Sequence, residues 1–223
     1  MSFFCDFLVF FQFVCKFLLT FRSKIEVMAE SHRKTPVDVA DNGDTEGLLA
    51  RQFSAGDNAA FEKIIRQNST EIATLANRLL GWCGDVEDVV QDIFFSAFLA
   101  RKKFKGNSSI RTWLFTITLN KCRTRRYKRM LRQKSFSKLA QKNPKPLAGS
   151  DQRLVESETF EKVRDAVKAL PVKYREPVVL RYLQELTIDD IAEILALSRN
   201  AVEVRLSRAR VMLKENLAEL IED

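Results

Sequence analysis

The chain has 223 residues, with 37 lysines and arginines against 29 acidic residues and a formal net charge of +8. That length suits one large domain or two small ones, each able to bury a core, and the excess positive charge points to a polyanionic partner, whether DNA, RNA or a membrane surface. Glycine and proline are scarce at 7 and 5, and past residue 45 apolar residues recur every three to four positions, which excludes a strand-rich fold and predicts an all-α protein.

From the amino terminus, residues 3–21 (FFCDFLVFFQFVCKFLLTF) are dense in phenylalanine but broken by Asp6, Gln12 and Lys16. The apolar runs fall short of the roughly 20 residues a membrane span requires. A secretory signal is also a poor fit, since no positive charge precedes the stretch and no small-residue cleavage site follows it. Three readings stay open: an over-extended gene start with synthesis beginning at Met28, a membrane-associating or partner-binding segment, or a packed helix. Residues 29–45 are polar, carry Pro36 and Gly43, and read as a disordered arm, so residues 1–45 stand apart from the expected domains.

The first helical domain is expected over residues 46–134. Phe61, Ile64, Ile65, Ile72, Leu75, Ala76, Leu79 and Leu80 keep helical spacing and predict one long amphipathic helix, stopped by Gly81 and Gly84. Asp85 is placed to cap the next helix, whose buried stripe is Val89, Val90, Ile93, Phe94, Ala97 and Phe98. Its other side gathers Glu87, Asp88, Gln91 and Asp92. The loop KGNSS, residues 105–109, interrupts the pattern, and a third helix opens near Ile110 with Trp113, Leu114 and Ile117 on one face. Residues 135–156, with Pro144, Pro146 and Gly149, read as a flexible linker, and residues 157–223 as a second helical domain. There Pro177 is expected in the first turn of a packing helix, where the missing amide costs nothing.

The sharpest local pattern is TIDDIAEILALSRNAVEVRLSRARVML. Ile188, Ile191, Ala192 and Leu195 share one face of a short helix, and Val202, Leu206, Ala209 and Leu213 one face of a longer one. The Ala196-Leu197 turn joins them and Ser198 is placed to cap the second. This is a helix-turn-helix, whose second helix can enter a DNA major groove. Asn200, Glu203, Val204, Ser207 and Arg208 point away from its core, with Arg199 and Arg205 on the flanks, as candidates for base-edge and phosphate contacts. The bland reading is a helical hairpin with a solvated charged face.

A second pattern is the block Arg101–Lys134, which has many cations and no acidic residue. Phe104, Trp113, Phe115, Thr116, Thr118, Asn120 and Tyr127 are interleaved with the charges, a mixture suited to phosphates and unpaired bases. A solvated basic face is the alternative, and Trp113 shares a face with Leu114 and Ile117 that also suits a core position. The acidic face Glu87, Asp88, Gln91 and Asp92, set in a basic domain, fits a cationic protein partner or simple solvation.

Two stretches together resemble one family. GDVEDVVQDIFFSAFLARKKFKGNSSIRTWLFTITLNKCRTRRYKR is similar to the second conserved region of the extracytoplasmic-function (ECF) sigma factors, and LPVKYREPVVLRYLQELTIDDIAEILALSRNAVEVRLSRARVMLKENL to their fourth. The likeness spans roughly residues 46–134 and 157–218. It implies two helical domains that lend promoter recognition to core RNA polymerase. It implies that Glu87, Asp88, Gln91 and Asp92 dock on the clamp helices of the largest polymerase subunit. Lys105, Asn107 and Ser108 would lie in the loop that captures a flipped base of the minus-ten element, with Asn107 the hydrogen-bonding residue. Arg111, Trp113, Asn120, Arg123 and Arg126 would lie on the strand-melting helix. Arg199, Asn200, Glu203, Arg205, Ser207 and Arg208 would face the minus-thirty-five element. Glu203 and Val204 stand where a basic residue and a serine are common in the family, so the promoter sequence cannot be borrowed from a relative. The family also implies an anti-sigma factor that restrains the chain in the cytoplasm or at the membrane.

The competing reading is a helix-turn-helix regulator that binds duplex DNA without core polymerase. An enzyme is disfavoured: the single histidine, His32, lies in the arm, and no nucleophile-base pair or phosphate loop is present. Cys5, Cys15, Cys83 and Cys122 form no metal-ligand pair or disulfide framework, so no metal or other cofactor is expected, no small-molecule substrate either, and a reducing cytoplasm suits them. Peptides from residues 1–27, sought by mass spectrometry of the native protein, are expected to be missing if synthesis begins at Met28, and their recovery rejects that start.

Overall fold

The computed structural model describes residues 43–82, 86–139 and 156–217. The expected cap at Asp85, the stop at Gly84, the phenylalanine-rich stretch, most of the arm and residues 140–155 of the linker lie outside the described residues. What is described is helical, with no strand, as the spacing predicts.

In the first half, α1 (Gly43–Ala55) contributes Leu49 and Phe53 to the core. Then α2 (Asn58–Leu80) starts where the Asp57 carboxylate accepts from the Ala59 amide at 2.8 Å. It stops at Gly81, which sits in the left-handed region at φ 80°; there the Gly81 amide donates to Arg78 O and the Trp82 amide to Asn77 O. This double closure is a Schellman ending, and it satisfies carbonyls that would otherwise be orphaned. Next come α3 (Val86–Ala100), a single 3-10 turn at Arg101–Lys103, and α4 (Ile110–Leu139). Ser109 caps α4 by accepting from the Thr112 amide at 3.0 Å.

The helices α2, α3 and α4 pack against one another through the expected stripes. Of these residues, Leu80 and Phe98 are half-buried and the others are buried. The inward face of α4 differs from the expected Trp113, Leu114 and Ile117: it is Leu114, Phe115, Thr118, Leu119 and Cys122, with Ile117 half-buried. Packing against two helices at once widens and turns the buried arc toward Phe115. Thr118 tolerates complete burial because its hydroxyl donates to Leu114 O at 2.8 Å.

Five rings join α1 to this group. Phe53 stacks on Phe61 at 5.6 Å between centroids and meets Trp113 edge-on at 5.8 Å, while Phe104 closes on Trp113 at 5.2 Å and Phe98 on Phe61 at 5.4 Å. Such pairs contribute about 0.5–1.5 kcal/mol each beyond the area they bury.

The second half comprises α5 (Glu156–Ala169), α6 (Val172–Val178), a π turn at Val179–Leu183, α7 (Ile188–Leu195) and α8 (Arg199–Asn216). Pro171 precedes α6, and Pro177 lies near its end rather than in its first turn. Proline there withholds the amide an α-helix would use, and the chain opens into the wider register, with Gln184 N donating to Val179 O and Leu186 N to Leu180 O. The helix-turn-helix is built as predicted. Thr187 and Asp190 form a reciprocal capping box at the start of α7, Ala196 turns the chain at φ 53°, and Ser198 accepts from the Ala201 amide to start α8.

The two halves pack against each other as parts of one compact unit running from Gly47. The wall between them is α4, with α7 and α6 against it. Arg78 at the end of α2 donates to the Leu183 carbonyl, and the Arg164 guanidinium of α5 lies 5.5 Å from the centre of the Trp82 ring.

Replacing Phe53, which is fully buried, by alanine is expected to remove about 3–5 kcal/mol from urea unfolding. Leu48→Ala, at a side chain 57% exposed, serves as the control with a change under about 0.5 kcal/mol. Burial also pushes the Cys122 thiol up to about 12, against an opposing effect of Arg126. Because the thiolate is the species that reacts, iodoacetamide at mildly alkaline pH is expected to leave the Cys122 peptide unmodified in the folded chain and to label it fully after denaturation, as read by peptide mass spectrometry.

Candidate polymerase and nucleic-acid interface

The residues expected to act on partners fall on three surfaces. On α3, Glu87 and Asp88 stand in the first turn, where the helix dipole favours negative charge, and both are exposed together with Asp92. Gln91 is half-buried beside them. Asp88 is 79% exposed, and its Oδ2 lies 3.9 Å from Arg125 Nη2, a separation at which water screens most of the attraction. These carboxylates remain available to a cationic protein surface.

The second surface runs from the 105–109 loop along α4. Lys105 and Asn107 are exposed, Ser108 is half-buried, and Asn120 is exposed on the outer side of α4. Gly106, at φ 71°, lets the loop turn sharply enough to present Asn107 outward. The cations of α4 are less free. Arg111 Nε donates to both oxygens of Glu71 on α2, at 2.9 and 3.1 Å, and that hydrogen-bonded carboxylate is the main reason its pKa lies above the usual value. Trp113 is half-buried in the aromatic cluster. Arg123 reaches Glu176 of α6 through Nε and Nη2, and Arg126 reaches the same carboxylate at 2.5 Å and Leu79 O at 3.2 Å. Phe104, Phe115 and Thr118, which the sequence interleaves with the cations, are buried and cannot meet bases: they fall on the inward arc of the packing. Tyr127, at 57% exposure, and Asn120 remain on the outside.

The third surface is the outer face of α8. Asn200, Glu203, Val204, Ser207 and Arg208 are exposed as the wheel predicts, over a core of Val202, Leu206 and Ala209. Arg199 Nη1 grips Asp189 of α7 at 2.9 and 3.0 Å, with Glu203 3.5 Å from its Nε, so it braces the two helices of the motif. Arg208 hydrogen-bonds the Tyr174 phenol and holds its pKa below the ordinary value. Arg205 turns away from this face and lines the cleft between the two halves with Arg123, Arg126 and Glu176. Its offset of about half a turn from Ser207 accounts for the difference, since that flank of α8 meets α6 and not open solvent.

Sequence reasoning missed Glu71 and Glu176, whose roles depend on partners 40 and 53 residues away. The one available signal was a carboxylate directly before an apolar run, Glu176 preceding Pro177, Val178, Val179 and Leu180.

Comparison with known proteins accounts for both halves. Residues 64–133 match the family model for sigma-70 region 2, and residues 160–213 that for sigma-70, region 4. The RNA polymerase sigma factor CnrH of Cupriavidus metallidurans is 31% identical over 177 residues, covering 76% of this chain and 93% of that protein. The ECF RNA polymerase sigma-E factor of Haemophilus influenzae is 28% identical over 185 residues, covering 79% of this chain and 97% of that protein. Among solved structures, CnrH in complex with the cytosolic domain of CnrY aligns with a TM-score of 0.59 at 29% identity, covering 79% of this chain and 99% of that one. A regulator that uses only a helix-turn-helix would leave the first half unexplained. With both regions matched in order, and relatives aligned over nearly their whole length, the chain belongs to the extracytoplasmic-function group of the sigma-70 family and is an RNA polymerase sigma factor, directing core polymerase to promoters.

Proposed function

We propose that the three surfaces divide the work of initiation. Glu87, Asp88, Gln91 and Asp92 dock on core polymerase; Lys105, Asn107 and Ser108, with Arg111, Trp113, Asn120, Arg123 and Arg126 behind them, take the melted minus-ten strand; the outer face of α8 takes the minus-thirty-five duplex. The observation that carries this reading is the exposed acidic turn of α3 set beside the acid-free basic helix α4, within the segment matched to sigma-70 region 2. One face suits a cationic protein and the other a polyanion. Trapping unpaired bases shifts the duplex toward the open state through differential binding, so no bond is made or broken by the chain itself.

On α8, Asn200 suits a bidentate contact to adenine, and Glu203 accepts from the amino group of cytosine. Arg199 and Arg208, which already hold protein partners, would position the helix on phosphates. The chain would act in the cytoplasm; among the described residues no helix is long and apolar enough to cross a membrane. The structure of CnrH in complex with the cytosolic domain of CnrY supports a protein partner for this chain, which we take to be an anti-sigma factor.

The test combines the purified chain, bacterial core polymerase and DNA from upstream of its own gene, and counts promoter-specific transcripts. Asp88→Arg, a change at an exposed position, is expected to leave the fold intact and cut transcripts at least about tenfold by placing like charges across the docking surface. Asn107→Ala and Asn200→Ala are each expected to weaken promoter binding by about 1–3 kcal/mol. Tight duplex binding by the chain alone, with no transcripts, would overturn the reading in favour of a regulator independent of polymerase.

A further inference from the structure

The outer face of α8 carries one apolar side chain among polar neighbours. At about 100° per residue, Val204 falls roughly opposite the buried Val202, Leu206 and Ala209, in the middle of the outward arc that Asn200, Glu203, Ser207 and Arg208 complete. It is 42% exposed and lies outside the core. A β-branched residue on an exposed helix face lowers helix propensity, so valine here is a small cost to the fold that alanine would avoid.

A helix laid in the major groove contacts base edges from its amino end, and the side chain opposite the packed face reaches deepest toward them. Val204 stands in the second turn of α8, which begins at Arg199. The two arginines of that face are already engaged: Arg199 with Asp189 at 2.9 and 3.0 Å and with Glu203 3.5 Å from its Nε, and Arg208 with the Tyr174 phenol. The base edges are therefore left to Asn200, Glu203, Val204 and Ser207. A valine side chain makes no hydrogen bond. Set against the polar edge of guanine, cytosine or adenine, it would strip water from a donor or acceptor and return nothing. The 5-methyl group of thymine is the one apolar group that the four bases present in this groove.

We infer that Val204 is a specificity-determining residue that selects thymine, packing its isopropyl group on the 5-methyl of that base in the duplex read by α8. The inference deepens the assignment of the outer face of α8 to the minus-thirty-five duplex and rests on it. Four residues of helix advance about 6 Å and base pairs are spaced about 3.4 Å, so the thymine falls within about two base pairs of the position that Asn200 contacts.

The experiment uses the full chain with bacterial core polymerase and DNA from upstream of its own gene, in which footprinting locates the minus-thirty-five half. Each thymine of that half, on either strand, is replaced in turn by deoxyuridine, which removes the methyl group and leaves every hydrogen-bonding group in place. Affinity is read by competition against the unsubstituted duplex. In the wild-type chain, one such replacement is expected to weaken binding about three- to fivefold, as the loss of one buried methyl group would. Val204→Ala, with its helicity verified by circular dichroism, is expected to bind the thymine duplex more weakly by the same factor and to lose nothing further on deoxyuridine. Val211→Ala, at a side chain 58% exposed about two turns farther from the amino end, is the control and keeps the wild-type penalty. A penalty that persists in Val204→Ala would overturn the inference, because it would come from the shape of the duplex and not from the side chain. The absence of any penalty in the wild-type chain, or a minus-thirty-five half without thymine, would overturn it as well while leaving the functional reading intact. Failure of the wild-type chain with core polymerase to bind the unsubstituted fragment would overturn the functional reading, and the role of Val204 with it.

Discussion

One helix, α4, has to satisfy two environments along its length, and the rest of the molecule is arranged around that demand. Near its start, Leu114, Phe115, Thr118, Leu119 and Cys122 are buried, and through its packing on α2 and α3 this stretch closes the core of the region 2 half. Directly after Cys122 comes Arg123, and one turn beyond Cys122 on the same side comes Arg126, whose partly covered guanidiniums call for a counter-charge. Glu176 supplies it from the other half. The sequence thus moves from hydrophobic association to charge pairing within about one turn, and the boundary between the two halves falls where that change occurs.

The supporting elements hold their geometry through short, local devices. Among the described residues, six helix starts or stops are closed by side chains or by a left-handed residue: Asp57 and Gly81 on α2, Ser109 on α4, the Thr187-Asp190 box and Ala196 on α7, and Ser198 on α8. Each such cap contributes about 0.5–2 kcal/mol. The Ala196 turn and the Ser198 cap fix where α8 begins, and hence which of its residues face outward. Arg199 adds a brace to Asp189, so the first residue of α8 is held by the helix behind it.

Much of this was legible in the sequence because it depends on local periodicity. The stripe of α2, the buried face of α3 and the cap at Ser198 all follow from spacing within one element, and the outward set Asn200, Glu203, Val204 and Ser207 follows from the same wheel. The readings that changed depend on more than one element. Phe115 and Thr118 looked available for bases until a second packing partner widened the inward arc of α4. Pro177 looked like a helix start because an interior proline is costly, but it stands near the end of a helix of 7 residues, where a single amide is lost before the register changes. Arg205 and Glu176 face each other's neighbourhood across a cleft, and no pattern within either half could indicate that pairing.

The π turn has a mechanical consequence. Pro177 withholds one amide near the end of α6, and the π turn that follows, from Val179 to Leu183, interrupts the α register between α6 and α7. Glu176 at one end of this joint and the outer face of α8 at the other are carried by packed helices, α6 on α8 and α7 on α8. Because α6 and α7 both pack on α8, a displacement of the carboxylate at one end is passed through those contacts to the outer face of α8, and the two ends of this half are mechanically coupled.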